Sequence, residues 1–322
     1  MKCSKFLKII TCATLLACAA LAQAAFPDKP IRLVIPFAVG GSTDVVARRI
    51  APKVGEILGQ TIIVDNKGGA GGTLATDFVA KAPADGYTLI MTTNSHTANP
   101  ALYAKLPFDT VKDFVSVAMI ADSPGLLVAA NNFPPNNFKD FIEYAKRMTT
   151  PVTFGTAGAG TFPHLTSELM KARANIEMTH IPYKGAGPAM SDLLGGVYNV
   201  KVDALATAGA HVKAGKIKAY AVTSRERMPQ IPDVPTIAEL GYPGFESTFW
   251  MAILAPAGTP KEIVAKLEAA FIKALGDRDI IDRLTADGVR IIAKPAFHVD
   301  ELITRELKQW PLIMKQAGIT AN

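Results

Sequence analysis

The residues best placed to do chemistry in this chain are small ones. Residues 38–43 (AVGGST) and 155–161 (GTAGAGT) mix glycines with hydroxyls, and each run stands just before a helically patterned stretch. A glycine-rich turn feeding a helix exposes backbone N–H groups, and the helix dipole adds about half a positive charge there. Such a start attracts an anion, and without a Cβ in the way the guest can reach the main chain. Ser42, Thr43, Thr156 and Thr161 can add hydroxyl donors. One loop of this kind is more often only a tight turn. Two of them in separate halves, able to face one another, point to a single anion held between them.

The ionisable neighbours have two readings each. Asp44 follows the first loop, either as favourable charge at a helix start or as an acceptor for a bound water or ligand amine. His164 falls in the first turn after the second loop, either packed and capping or donating to a ligand. Lys184 is by default an exposed loop cation. No GxSxG, HExxH or CxxC pattern occurs. His96, His164, His180, His211 and His298 are too far apart for paired ligands on one helix, so no metal is expected. There is no GxxxxGK[ST], and Gly155, Gly158 and Gly160 lack the GxGxxG spacing. Elimination leaves an anion smaller than a nucleotide, such as a carboxylate, with no cofactor and no catalytic residue assigned.

The elements that must hold these loops repeat one unit: a short apolar strand, a turn, a helix. Strands are expected at residues 31–37, 61–64, 87–91, 152–154 and 180–182. Helices are expected at 44–58, 73–82, 163–174 and 188–194, with a further helical stretch after 94. This alternation predicts an α/β fold with largely parallel sheets. Thr259 to Glu262 reads as a capping box with Pro260 at the first helical position. The helix it opens carries Ile263, Val264, Leu267, Phe271 and Leu275 on one face. A last helix from about Val299 is expected to kink or split at Pro311.

The chain has 322 residues, 49% hydrophobic and 19% charged, which excludes a disordered or coiled-coil protein. The net charge of +6 suggests nucleic acid, but Lys2, Lys5 and Lys8 supply half of it and no basic stripe follows. Those lysines, the apolar stretch 9–21 and Ala22-Gln23-Ala24 read as an export signal, residues 1–24, cut after Ala24. Lipidation at Cys18 is the weaker alternative. Cys3, Cys12 and Cys18 all lie in that leader. The exported chain therefore has no disulfide and no thiolate chemistry.

Together the loops resemble the periplasmic substrate receptors of tripartite tricarboxylate transporters, the Bug receptors. The resemblance rests on residues 36–44 (PFAVGGSTD), 66–72 (NKGGAGG), 85–89 (DGYTL), 154–165 (FGTAGAGTFPHL), 182–185 (PYKG), 232–236 (PDVPT) and 254–260 (LAPAGTP), in that order. It implies a periplasmic-binding-protein fold of class II type, two α/β domains with a ligand cleft between them. Residues 25–123 and 220–322 would form one domain and 124–219 the other. It implies a monomer that traps a small carboxylate, delivers it to integral-membrane transporter subunits and is not an enzyme. The ligand residues it implies are Phe37, Gly40, Gly41, Thr43, Asp44, Thr156, Gly158, Gly160, Thr161 and His164, with Asp203 at the ligand's distal end. Two departures stand out. Val39 replaces a usual proline, and Lys201 interrupts a usually apolar stretch, where facing solvent is the default and reaching a second acidic group the alternative. An exported hydrolase or isomerase would need an activated nucleophile that the spacing does not assemble. A receptor serving a sensor kinase would share the same site.

Overall fold

A computed structural model describes residues 26–319; the leader, its cysteines and the last three residues lie outside them. The chain begins with β1 (Ile31–Ile35), α1 (Ser42–Leu58), β2 (Ile62–Asn66), a 3₁₀ turn (Ala70–Gly72), α2 (Thr73–Ala80), β3 (Thr88–Thr92) and α3 (Ser95–Leu102). It crosses into a second lobe along β4 (Phe114–Ala130). There follow α4 (Phe138–Arg147), β5 (Val152–Thr156), α5 (Phe162–Ala174), β6 (Met178–Pro182), α6 (Ala186–Leu194), β7 (Val200–Ala204), α7 (Leu205–Lys213) and β8 (Ile217–Val222). The return consists of β9 (Thr248–Pro256), α8 (Lys261–Leu275), α9 (Arg278–Ala286), β10 (Arg290–Pro295) and α10 (Ala296–Ala317).

The strand order β2-β1-β3-β9-β4-β7-β5-β6 places β4 at the junction. Residues Phe114 to Pro124 of β4 pair with β9, and Gly125 to Ala130 pair with β7 and β8. β10 flanks the first half of β4. Only the outer strands are parallel: β2, β1 and β3 in one lobe, β6, β5 and β7 in the other. Every pairing of β4 is antiparallel. The expectation of largely parallel sheets thus holds for the strand–turn–helix units and fails at the centre, where a crossing strand must pair with returning ones.

Burial follows the helical period. Val46, Ile50 and Val54 of α1 are fully buried and share one core with Leu267 and Phe271 of α8. A smaller cluster bridges the lobes, with Leu165 of α5 against Leu102, Met314 and Ile319. Two local expectations are corrected. The capping box does not form: α8 starts at Lys261 with no side-chain cap, and the Thr259 hydroxyl donates instead to the Pro256 carbonyl at 2.7 Å. Nor does Pro311 split the last helix: α10 runs through it, held by buried Val299, Ile303 and Met314 on either side.

Candidate functional site

Four strand-to-helix turns meet where the lobes touch. They lead from β1 into α1, β5 into α5, β6 into α6 and β7 into α7. Such positions, beyond the carboxyl ends of strands, are where α/β sheets bind ligands. The lobes are in contact here. The Ala38 N–H donates across the gap to the Lys184 carbonyl at 3.1 Å. A Cβ on Gly71 would collide with the Ala159 carbonyl, and one on Gly187 with the Val39 carbonyl. Glycine at these points is what allows the two backbones to approach so closely.

Between the turns lies a cavity of about 50 Å³, room for a few water molecules. One wall comes from the first lobe: Phe37, Gly41, Ser42, Thr43, Thr93 and Phe249. The other consists of Ala157, Thr161, Phe162, Pro163, Ala186, Asp203 and Ala204. Phe162 and Phe249 meet across it with ring centroids 5.1 Å apart. The helix starts α1, α5, α6 and α7 all contribute, and none of the four has a side-chain cap. Helix starts leave backbone N–H groups without intrahelical partners and carry the positive end of the dipole. The Ser42 hydroxyl is buried and has no partner among the described residues. The site therefore offers donors from both lobes within an otherwise largely apolar, half-open pocket.

Of the residues named from sequence, Phe37, Gly41, Thr43, Thr161 and Asp203 line the cavity, and the other six do not. Asp44 is buried, and both its oxygens are engaged. One accepts the Gly40 N–H at 3.0 Å and the other the Arg48 guanidinium at 2.9 Å. Asp44 thus braces the turn that Gly40 makes at φ +90°. Gly158 and Gly160 also hold left-handed conformations, at φ +124° and +74°. The Thr161 hydroxyl donates to the Gly158 carbonyl at 2.6 Å, while Thr156 Oγ1 accepts the Gly158 N–H at 3.1 Å.

His164 is likewise part of the loop's support. Its Nδ1 accepts the Gly160 N–H at 3.2 Å, and its ring stacks on His180 at 4.3 Å. Burial, then the neighbouring His180 and Lys171, pushes His164 down to about 3, so it is neutral near pH 7. Burial likewise pushes His180 down to about 4.

Lys201 corrects an expectation outright. Its side chain is fully buried, not solvated, and Nζ lies 2.5 Å from Asp203 Oδ2. Asp203 Oδ1 accepts the Ala204 N–H at 2.9 Å. Lys184, by contrast, is exposed as expected, and its carbonyl accepts the Ala38 N–H of the other lobe. Sequence reasoning named Ser42 as a possible donor but assigned no role to Thr93, Phe162, Ala186, Ala204 or Phe249. Their signal was positional: Thr93 and Ala204 stand at the carboxyl end of a strand and Phe162 and Ala186 open helices, whereas Phe249 lies at the amino end of β9.

Comparison with known proteins gives this geometry a context. The profile of the tripartite tricarboxylate transporter family receptor matches residues 46–319. The periplasmic binding protein BugD is 36% identical and superposes with a TM-score of 0.89, covering 92% of this chain and 99% of its own. The R. palustris protein Rpa4515, solved with adipate, is 35% identical with a TM-score of 0.88, covering 92% and 99%. MatC (Rpa3494) from Rhodopseudomonas palustris, solved with bound malate, is 38% identical with a TM-score of 0.86, covering 89% and 99%. The fold is that of the two-lobed α/β periplasmic binding proteins, and the chain belongs to the receptor family of the tripartite tricarboxylate transporters.

Proposed function

We propose that this chain is a periplasmic receptor that traps a small carboxylate between its lobes and delivers it to the membrane subunits of a tripartite transporter. Residues 1–24 would direct export. The observation that carries the reading is the convergence of four uncapped helix starts, from both lobes, on one half-open cavity. An anion there meets donors already oriented and already stripped of much of their water. The adipate and malate carried by the two relatives are carboxylates, which supports this reading.

Each lobe alone presents only half of the donors. Closure brings both halves to one guest, and desolvation strengthens every bond. Micromolar binding requires roughly −8 kcal/mol. A handful of charge-assisted hydrogen bonds at about 1.5–3 kcal/mol each, less the ordering cost, reaches that range. No bond in the guest needs to break. Among the described residues Asp203 is the only ionisable side chain on the cavity wall, and the one hydroxyl of the second loop that meets an imidazole, Thr156 with His180 Nε2 at 2.6 Å, does not line the cavity.

A thermal-shift screen over mono-, di- and tricarboxylic acids tests the reading. A true ligand at a hundredfold excess over Kd should stabilise the protein by about 2.7 kcal/mol. If no carboxylate raises the melting temperature while cations or neutral sugars do, the carboxylate reading fails.

A further inference from the structure

Resting on the carboxylate-receptor reading, we propose that Lys201 determines which charge the guest can carry at its Asp203 end, by excluding acids that bear an ammonium group there. Asp203 is the only ionisable side chain on the cavity wall. Left alone, a carboxylate in an apolar enclosure would attract a cationic group and repel a second anionic one. It is not left alone. Lys201 and Asp203 sit two residues apart on β7, on the same face of the strand, opposite Val128 and Leu126 of β4.

Lys201 is completely buried, and its ammonium makes no hydrogen bond of good geometry among the described residues. A buried ammonium must be paired, and Asp203 is its only ion-pair partner among the described residues. The two charges cancel at the wall. The remaining Asp203 oxygen is occupied by the Ala204 N–H. What faces the guest is a charge-compensated ion pair beside the start of α7, a surface that receives an uncharged or anionic end and offers an ammonium no net attraction.

Two matched series read the charge at that end: butyrate, succinate and 4-aminobutyrate, then hexanoate, adipate and 6-aminohexanoate. Titration calorimetry on the wild-type protein should rank the amino acid weakest in the better-binding series, by about tenfold. Lys201→Met exposes the Asp203 charge and should invert the ranking, so that the amino acid gains and the diacid loses. Lys201→Met combined with Asp203→Asn removes both charges, guards against misfolding from a lone buried carboxylate, and should bring the three probes within a few-fold of one another.

The same ranking in all three proteins, or a wild-type preference for the amino acids, overturns the role of Lys201 and leaves the receptor reading standing. A wild-type protein that binds no member of either series overturns the inference. If it also ignores the wider carboxylic-acid panel, the receptor reading falls with it.

Discussion

Ser42 shows how much of the site is decided by single atoms. Its Oγ is buried at the start of α1 without a partner among the described residues, whereas the Thr161 hydroxyl is occupied by the Gly158 carbonyl. Buried polar atoms are nearly always satisfied, so a guest or its escorting water is the natural partner for Ser42. Ser42→Ala should weaken carboxylate binding by about 1 kcal/mol, roughly fivefold, without lowering the melting temperature of the free protein. Unchanged affinity in calorimetry would show that the hydroxyl serves the fold alone. At this scale the sequence was informative about glycine and hydroxyl positions, because loop chemistry is local. It was silent on the roles behind the wall. Nothing in the letters around Asp44 says that Arg48 and the Gly40 amide occupy it, and nothing around Lys201 says that a carboxylate two residues on will keep it buried.

Among the elements, α6 carries the clearest test of lobe contact. Gly187 lies in its first turn, and its α-hydrogen side faces the Val39 carbonyl of the opposite lobe. Alanine is the better helix former there by about 1 kcal/mol, so Gly187→Ala should leave the open protein as stable or slightly more so. The added methyl would nevertheless strike the Val39 carbonyl and hold the lobes apart. Ligand affinity should fall by tenfold or more, with melting temperature unchanged in the absence of ligand; intact affinity would mean that this contact is dispensable. The strand–turn–helix units were legible because period and punctuation agree within each. β4 and β9 were not. The sequence of β4 contains Pro124-Gly125, which reads as a turn, yet the strand continues through it. The pair falls where β4 changes partners from β9 to β7 and β8, so the missing proline N–H and the small glycine sit at a seam in the ladder.

For the whole molecule, the contacts between lobes and the small volume of the cavity describe a closed arrangement. Rigid lobes turning about a few crossing segments are the usual way such a cleft opens. X-ray scattering should therefore give a smaller radius of gyration with saturating carboxylate than without, and an identical radius in both conditions would contradict hinge closure. The overall architecture was within reach of the sequence through the ordered set of family motifs, which no single loop would have supplied. The pairing of the lobes was not, since contacts such as Leu165 with Met314 join residues far apart in the chain.

β4 has one last consequence. Because a single unbroken ribbon is stitched into both halves, neither half is a separable part. Excising either would strand a run of bare amides and carbonyls along a raw margin, an invitation to self-association. Attempts to express the halves as stand-alone fragments should yield insoluble material, and grafts that exchange specificity would do better to swap loops than lobes.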